Sequence, residues 1–247
     1  MSVEFRGVSH RYGSVHALSD LNETLKPGIT ALLGVNGAGK STLLSIAAGT
    51  LAPTQGHVLV DGLDLGVRAS RNEGLRKVNL MPQGATFPPR MTAEDIVAYL
   101  TWMKGWPSSD AQERARSALR AAGLGERLRS KYGALSGGMA RRVAFAQAIA
   151  TEPDVLLLDE PTTGLDPAQR SDMVELVRGF GDSGVTVLFS SHVVEDIEDL
   201  ARDVIVLHEG RVRFSGTVDS LAATADPESR RSPLESGFFR SIERAGP

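Results

Sequence analysis

Residues Gly34-Val35-Asn36-Gly37-Ala38-Gly39-Lys40-Ser41-Thr42 fit the pattern G-x-x-x-x-G-K-[ST], between an apolar run at Ile29 to Leu33 and a second at Leu43 to Ala48. A strand entering such a loop and a helix leaving it make a nucleotide-phosphate cradle, so the chain must build a strand-loop-helix unit around it. The glycines let the backbone turn tightly and aim successive N–H groups inward, and the helix starting at Lys40 adds its positive dipole end. Lys40 is expected to reach the β- and γ-phosphates as a mobile point charge. The Ser41 hydroxyl would complete the coordination of Mg²⁺, which takes few protein ligands, and Thr42 would serve the neighbouring phosphate oxygens.

With 247 residues, 41% of them hydrophobic, the chain has enough apolar material for a substantial core and reads as one domain with a lobe. A formal net charge of −3 carries no footprint of a polyanion binder, so nucleic acid is not an expected partner. The absence of cysteine excludes disulfides and thiolate metal sites and fits a reducing compartment. The start, Met1-Ser2-Val3-Glu4-Phe5-Arg6, lacks the basic-then-apolar layout of a signal peptide, and no apolar run approaches the roughly 20 residues that span a bilayer. The expectation is a soluble cytoplasmic chain whose membrane spans, if it works at a membrane, come from another polypeptide.

Val3 to Gly28 reads as short β segments with turns at Tyr12-Gly13-Ser14 and Lys26-Pro27-Gly28. A further β pair is expected at His57 to Asp61 and Lys77 to Met81. From Met91 to about Ala150 the period becomes helical, through Ile96, Val97, Leu100 and later Val143, Ala146 and Ile149, which suggests an inserted helical lobe at about 86–150. Non-alternating aliphatic runs at Val155 to Leu158 and Val185 to Phe189 flank a helix-like Ala168 to Phe180. Strands apolar on both faces belong in the middle of a parallel sheet. Val204 to Leu207 predicts another strand, with a hairpin through Glu209-Gly210. The expected division is a domain over 1–225 and a linker and C-terminal tail over 226–247, the linker being Asp226 to Pro233 and a short helix following it. No internal repeat is visible.

Val155-Leu156-Leu157-Leu158-Asp159-Glu160 puts two carboxylates where a buried strand emerges, the edge at which open α/β sheets gather ligands. Asp159 would hold Mg²⁺ directly or through water, and Glu160 would orient or deprotonate the attacking water. His192, just after the Val185 to Phe189 strand, lies at the same edge and could report the γ-phosphate. Gln83, in Met81-Pro82-Gln83, could contact both Mg²⁺ and water from a loop leading into the lobe. Ser136 reads as an N-cap, and Gly137 and Gly138 give a second anion-receptive helix start. Two phosphate-seeking starts with one set of hydrolytic residues suggest that the second serves another chain's nucleotide.

In their order, Tyr12, Gly34 to Thr42, Gln83, Leu135 to Gly138, Val155 to Glu160, Gly164-Leu165-Asp166 and His192 resemble the ATP-binding subunit of an ATP-binding-cassette transporter, over nearly the whole chain to about Thr217. The resemblance implies a P-loop NTPase fold: an α/β, RecA-like core with an antiparallel β subdomain and the helical lobe. It implies a head-to-tail dimer with a second copy or a homologous cassette, ATP lying between one phosphate loop and the other subunit's Ser136 to Gly138. Tyr12 would stack on adenine, Asp166 would contact the opposite site, and Gln83 would link nucleotide state to a polytopic membrane subunit on whose cytoplasmic face the chain sits. One departure is Met139, where the family signature usually has Gln and which lacks its strong hydrogen bonds. The Ala-Gly-Lys loop, the Thr-Thr-Gly-Leu-Asp segment and the run from His192 through Glu195-Asp196 are similar to bacterial export-type cassettes.

Two other readings compete. A cytosolic cassette ATPase uncoupled from transport fits the motifs, but the chain shows a single cassette, no long heptads and no basic arm. A nucleotide-sensing module that closes on ATP with negligible turnover would use Met139 as its lesion. The basic positions Arg114, Arg116, Arg120, Arg127, Arg129 and Lys131 are interleaved with acids and read as a solvated face. Trp102, Met103 and Trp106 lie in the lobe, where packing and partner contact are both open.

Overall fold

The structure, a computed structural model, describes residues 1–243; the last four residues of the expected tail lie outside them. Two sheets share the chain. One is antiparallel and four-stranded, in the order β2 (Val15–Leu25), β1 (Val3–Tyr12), β4 (Gln55–Val60), β5 (Leu63–Asp64). The other is six-stranded, in the order β10 (Arg211–Thr217), β9 (Asp203–His208), β3 (Gly28–Leu33), β8 (Thr186–Ser191), β7 (Val155–Asp159), β6 (Val78–Met81). All its pairings are parallel except that of β9 with β10.

The expected pair at 57–61 and 77–81 is corrected here. The first segment lies in β4 and pairs with β1 and β5, whereas the second lies in β6 and pairs with β7 in the other sheet. The short segments expected before Gly28 are instead two long strands of 10 and 11 residues, with register shifts along β1 that absorb the polar positions.

The run Val155 to Leu158 is apolar throughout, yet its side chains alternate between two cores. Val155 and Leu157 join Leu32, Leu188, Ile205 and Leu207 beneath α1 (Lys40–Ala47) and the antiparallel sheet. Leu156 and Leu158 join Ala31, Leu33, Val187 and Phe189 on the opposite face. That is why the central strands show no polar alternation.

The opposite face is covered by helices. Those of the lobe are α3 (Ala93–Met103) and α4 (Ser108–Ala121), whereas α2 (Arg68–Arg76), before β6, packs its Leu75 on the α1 side. α3 opens with a full capping box between Thr92 and Asp95. α5 (Gly137–Ile149) runs from the lobe under the sheet, where Gln147 donates to the Leu80 carbonyl at 2.9 Å and Val143, Phe145 and Ala146 are fully buried. α6 (Pro167–Asp182) and α7 (Val194–Leu200) complete this layer, and Phe145 meets Phe180 of α6 edge to face. After α8 (Val218–Ala222), α9 (Pro233–Glu243) returns to the body and buries Leu234 and Phe238 in the same core.

If α9 is part of that core, Phe238→Ala should cost about 3–5 kcal/mol. Urea unfolding at unchanged m would show it as a lowered midpoint, whereas Trp102→Ala, at an exposed site, should move stability by less than about 0.5 kcal/mol.

Candidate nucleotide site

Parallel pairing brings the carboxyl ends of β3, β8, β7 and β6 to one edge, with Leu33 opposite Ser191, Asp159 opposite Ser190 and Met81 opposite Leu158. The phosphate loop leaves β3, His192 leaves β8, Asp159 and Glu160 close β7, and Gln83 follows β6. Four separate stretches of sequence thus supply one edge.

In the loop, Gly37 and Gly39 have φ of 82° and 106°. A Cβ at Gly39 would stand 2.5 Å from the Ala17 carbonyl oxygen, so backbone packing as well as conformation demands glycine. Lys40 is buried and its Nζ donates to the Gly34 and Val35 carbonyls at 2.6 and 3.1 Å. Burial lowers its ammonium from the ordinary value, and the charges of Glu160 and Asp159 push back. Asn36, Gly37 and Ser41 are exposed on the outer side, with Ala38 buried and Thr42 half-buried.

Asp159 and Glu160 are both buried. One hydroxyl organises them: Ser190 Oγ donates to Asp159 Oδ1 at 2.6 Å and accepts from the Glu160 N–H at 2.9 Å. Glu160 has φ of 48°, a left-handed conformation that costs a non-glycine residue about 1–3 kcal/mol and turns its side chain off the strand. Its carboxylate accepts from Gln83 Nε2 at 2.9 Å and from the Thr163 hydroxyl at 3.1 Å, and His192 Nδ1 lies 3.1 Å away. Gln83, Glu160 and His192 are therefore in direct contact, with Lys40 and Asp159 close enough to interact by charge.

Arg141, on α5, was not singled out by the sequence. It donates to the Pro161 carbonyl at 3.1 Å and to the Glu160 carbonyl, fixing the backbone behind the carboxylate. Burial lowers its guanidinium, opposed by the charges of Glu160 and Asp159. In the sequence it reads as one of two adjacent arginines on a helix, and no local signal separates it from Arg142, which pairs with Asp172 at 2.5 Å.

The other expected residues lie apart from this cluster. Ser136 caps α5 by accepting from the Met139 N–H at 3.3 Å, and Asp166 caps α6 by accepting from the Gln169 N–H at 2.9 Å. Neither they nor Gly137 and Gly138 bond to Lys40, Asp159 or Glu160. Tyr12 is 53% exposed at the end of β1 with its ring edge-on to His10. Met139 packs against the main core. Arg116 pairs with Glu94 on the surface, whereas Arg114 is half-buried, pairing with Glu152 and stacking 3.5 Å over the Trp106 ring. Among the described residues no group of three or more His, Cys, Asp or Glu could hold a metal ion by itself. The Ser41 hydroxyl and the Asp159 carboxylate at this edge are oxygen donors, which suit a hard cation.

A strand, glycine loop and helix at a sheet's carboxyl edge, with paired carboxylates on the next strand but one, define a nucleoside-triphosphatase. The family model described as ABC transporter matches residues 18–163, more than half the chain, and the chain belongs to that family. It is 40% identical to the energy-coupling factor transporter ATP-binding protein EcfA2 of Symbiobacterium thermophilum, over 95% of this chain and 83% of that one. It is 35% identical to the Nod factor export ATP-binding protein I of Burkholderia orbicola, over 99% of this chain and 83% of that one. A solved ATP-binding cassette, in a dimeric post-hydrolysis state bound to ADP and Pi, superposes with a TM-score of 0.78 at 26% identity, covering 87% of this chain and 98% of that one. The chain is thus an ATP-binding, ATP-hydrolysing subunit that powers transport through a separate membrane subunit. No described helix is long and apolar enough to cross a membrane.

Removing the Arg141 guanidinium frees the two carbonyls behind Glu160. Arg141→Met is expected to lower ATP turnover by about tenfold at little change in ATP affinity, measured as kcat beside equilibrium nucleotide binding.

Proposed function

We propose that the chain acts as half of a head-to-tail dimer, with a second copy or a homologous cassette, that sandwiches ATP between Gly34 to Thr42 of one subunit and Ser136 to Gly138 of the other. Tyr12 stacks on adenine and Asp166 touches the opposite site. The observation that carries the reading is the buried Glu160 carboxylate, held by Gln83 and Thr163 against His192 beside the phosphate loop. Placed there, Glu160 takes a proton from water as the water oxygen attacks the γ-phosphorus. The bond from that phosphorus to the β–γ bridging oxygen breaks, releasing ADP and inorganic phosphate. Lys40 offsets the charge on the β- and γ-phosphates, and His192 donates to the γ-phosphate and so distinguishes ATP from ADP. Ser41, Asp159 and Gln83 are the residues that would hold Mg²⁺, which would supply charge neutralisation for the phosphates.

Gln83 links this state to the membrane subunit through the lobe. Tyr99, Trp102 and Met103 of α3 form its exposed apolar face, and their exposure supports a contact role there. The chain lies peripherally on the cytoplasmic face. We read the direction as export, on the motif resemblance and the Nod factor export relative; pairing with a copy of itself is favoured by an intact set of hydrolytic residues.

Lys40→Ala is expected to abolish ATP hydrolysis, and Glu160→Gln to reduce it by about 10²–10⁴-fold while trapping an ATP-bound dimer visible by size-exclusion chromatography. Tagged Glu160→Gln, recovered with ATP and Mg²⁺ from gently solubilised membranes of its host, should bring down a polytopic membrane protein in stoichiometric amount. Recovery of soluble proteins alone would move the chain to the cytosolic reading.

A further inference from the structure

Asp196 lies in the first turn of α7, four residues beyond His192, and its side chain is only 1% exposed. A carboxylate withdrawn from water to that degree has to be paired. Its Oδ1 accepts from Arg170 Nε at 2.6 Å, and its Oδ2 accepts from the hydroxyls of Thr162 at 2.6 Å and Ser191 at 3.0 Å. The three donors come from three different parts of the site. Thr162 is two residues past Glu160, Ser191 immediately precedes His192, and Arg170 stands one turn into α6 from its cap, Asp166. The Ser191 hydroxyl also accepts from the Val193 N–H at 2.9 Å, so both neighbours of His192 are tied to the same carboxylate.

Stability alone does not call for this arrangement, because well-packed apolar residues commonly do as well as a buried ion pair or better. The strong, directional bonds instead fix geometry beyond Asp159 and Ser190, the last ladder pair of β7 and β8. We infer that Asp196 is a positioning residue for hydrolysis, holding the Glu160 segment, the His192 loop and the start of α6 as one unit. The inference rests on the roles proposed for Glu160 and His192.

The test removes one hydroxyl and restores it. Thr162→Val keeps the side chain's shape and leaves Asp196 paired with Arg170, and in the full chain it should lower kcat at least tenfold with ATP affinity within about twofold. Thr162→Ser should recover the rate to within about threefold of the parent. Asp196→Ala should lose at least as much as Thr162→Val; if it fails to fold, the Thr162 pair carries the decision. Glu160→Gln is assayed in parallel, and its normal turnover would overturn the catalytic assignment itself. An inactive Glu160→Gln beside a Thr162→Val of parental rate, or beside a Thr162→Ser as impaired as Thr162→Val, would overturn the role of Asp196 alone.

Discussion

A parallel sheet has to be covered on both faces, and in this molecule that requirement sets nearly everything else. The aliphatic run of β7 feeds two cores at once, one beneath α1 and the antiparallel sheet and one beneath the helices. Covering both faces leaves only the ends of the strands open. Because β3, β8, β7 and β6 run the same way, the loops leaving them share one edge. The candidate site collects there, at the carboxyl ends of the strands, where open α/β sheets bind their ligands.

At that edge the working groups are held by bonds between strands. Ser190 is the clearest case, since one hydroxyl serves Asp159 and the Glu160 backbone together. Arg141 reaches the same segment from α5, and Asp196 reaches the next part of it from α7. The Glu160 carboxylate is thereby located by three elements besides its own strand. Such redundancy suits a group whose task depends on sub-ångström placement.

Much of this was legible in the residues. The phosphate loop, the Asp-Glu pair and His192 stand out because each follows a mostly apolar run without polar alternation, and such runs become central strands. The Ser136 cap was readable as a short polar side chain directly ahead of a helix, whereas the cap that Asp166 makes on α6 was not read. Sheet membership was not readable. The segments at 57–61 and 77–81 look alike in composition, and only the packing of α1 between the layers separates them into different sheets. The long β1 and β2 were obscured by the polar residues Glu4, Arg6 and Asp20 among their apolar positions. Arg141 and Asp196 were hidden because their partners lie on other elements, at sequence separations of 19 and 34 residues to Glu160 and Thr162.

The left-handed backbone at Glu160 bears on how variants of this protein would respond to selection. Glycine or asparagine suits that conformation better than glutamate does, so either replacement relieves strain while removing the carboxylate. On the role proposed for Glu160, a library sorted only for heat resistance would therefore accumulate inactive molecules at position 160. Retention of glutamate there would record a continuing demand for activity, made against the preference of the fold.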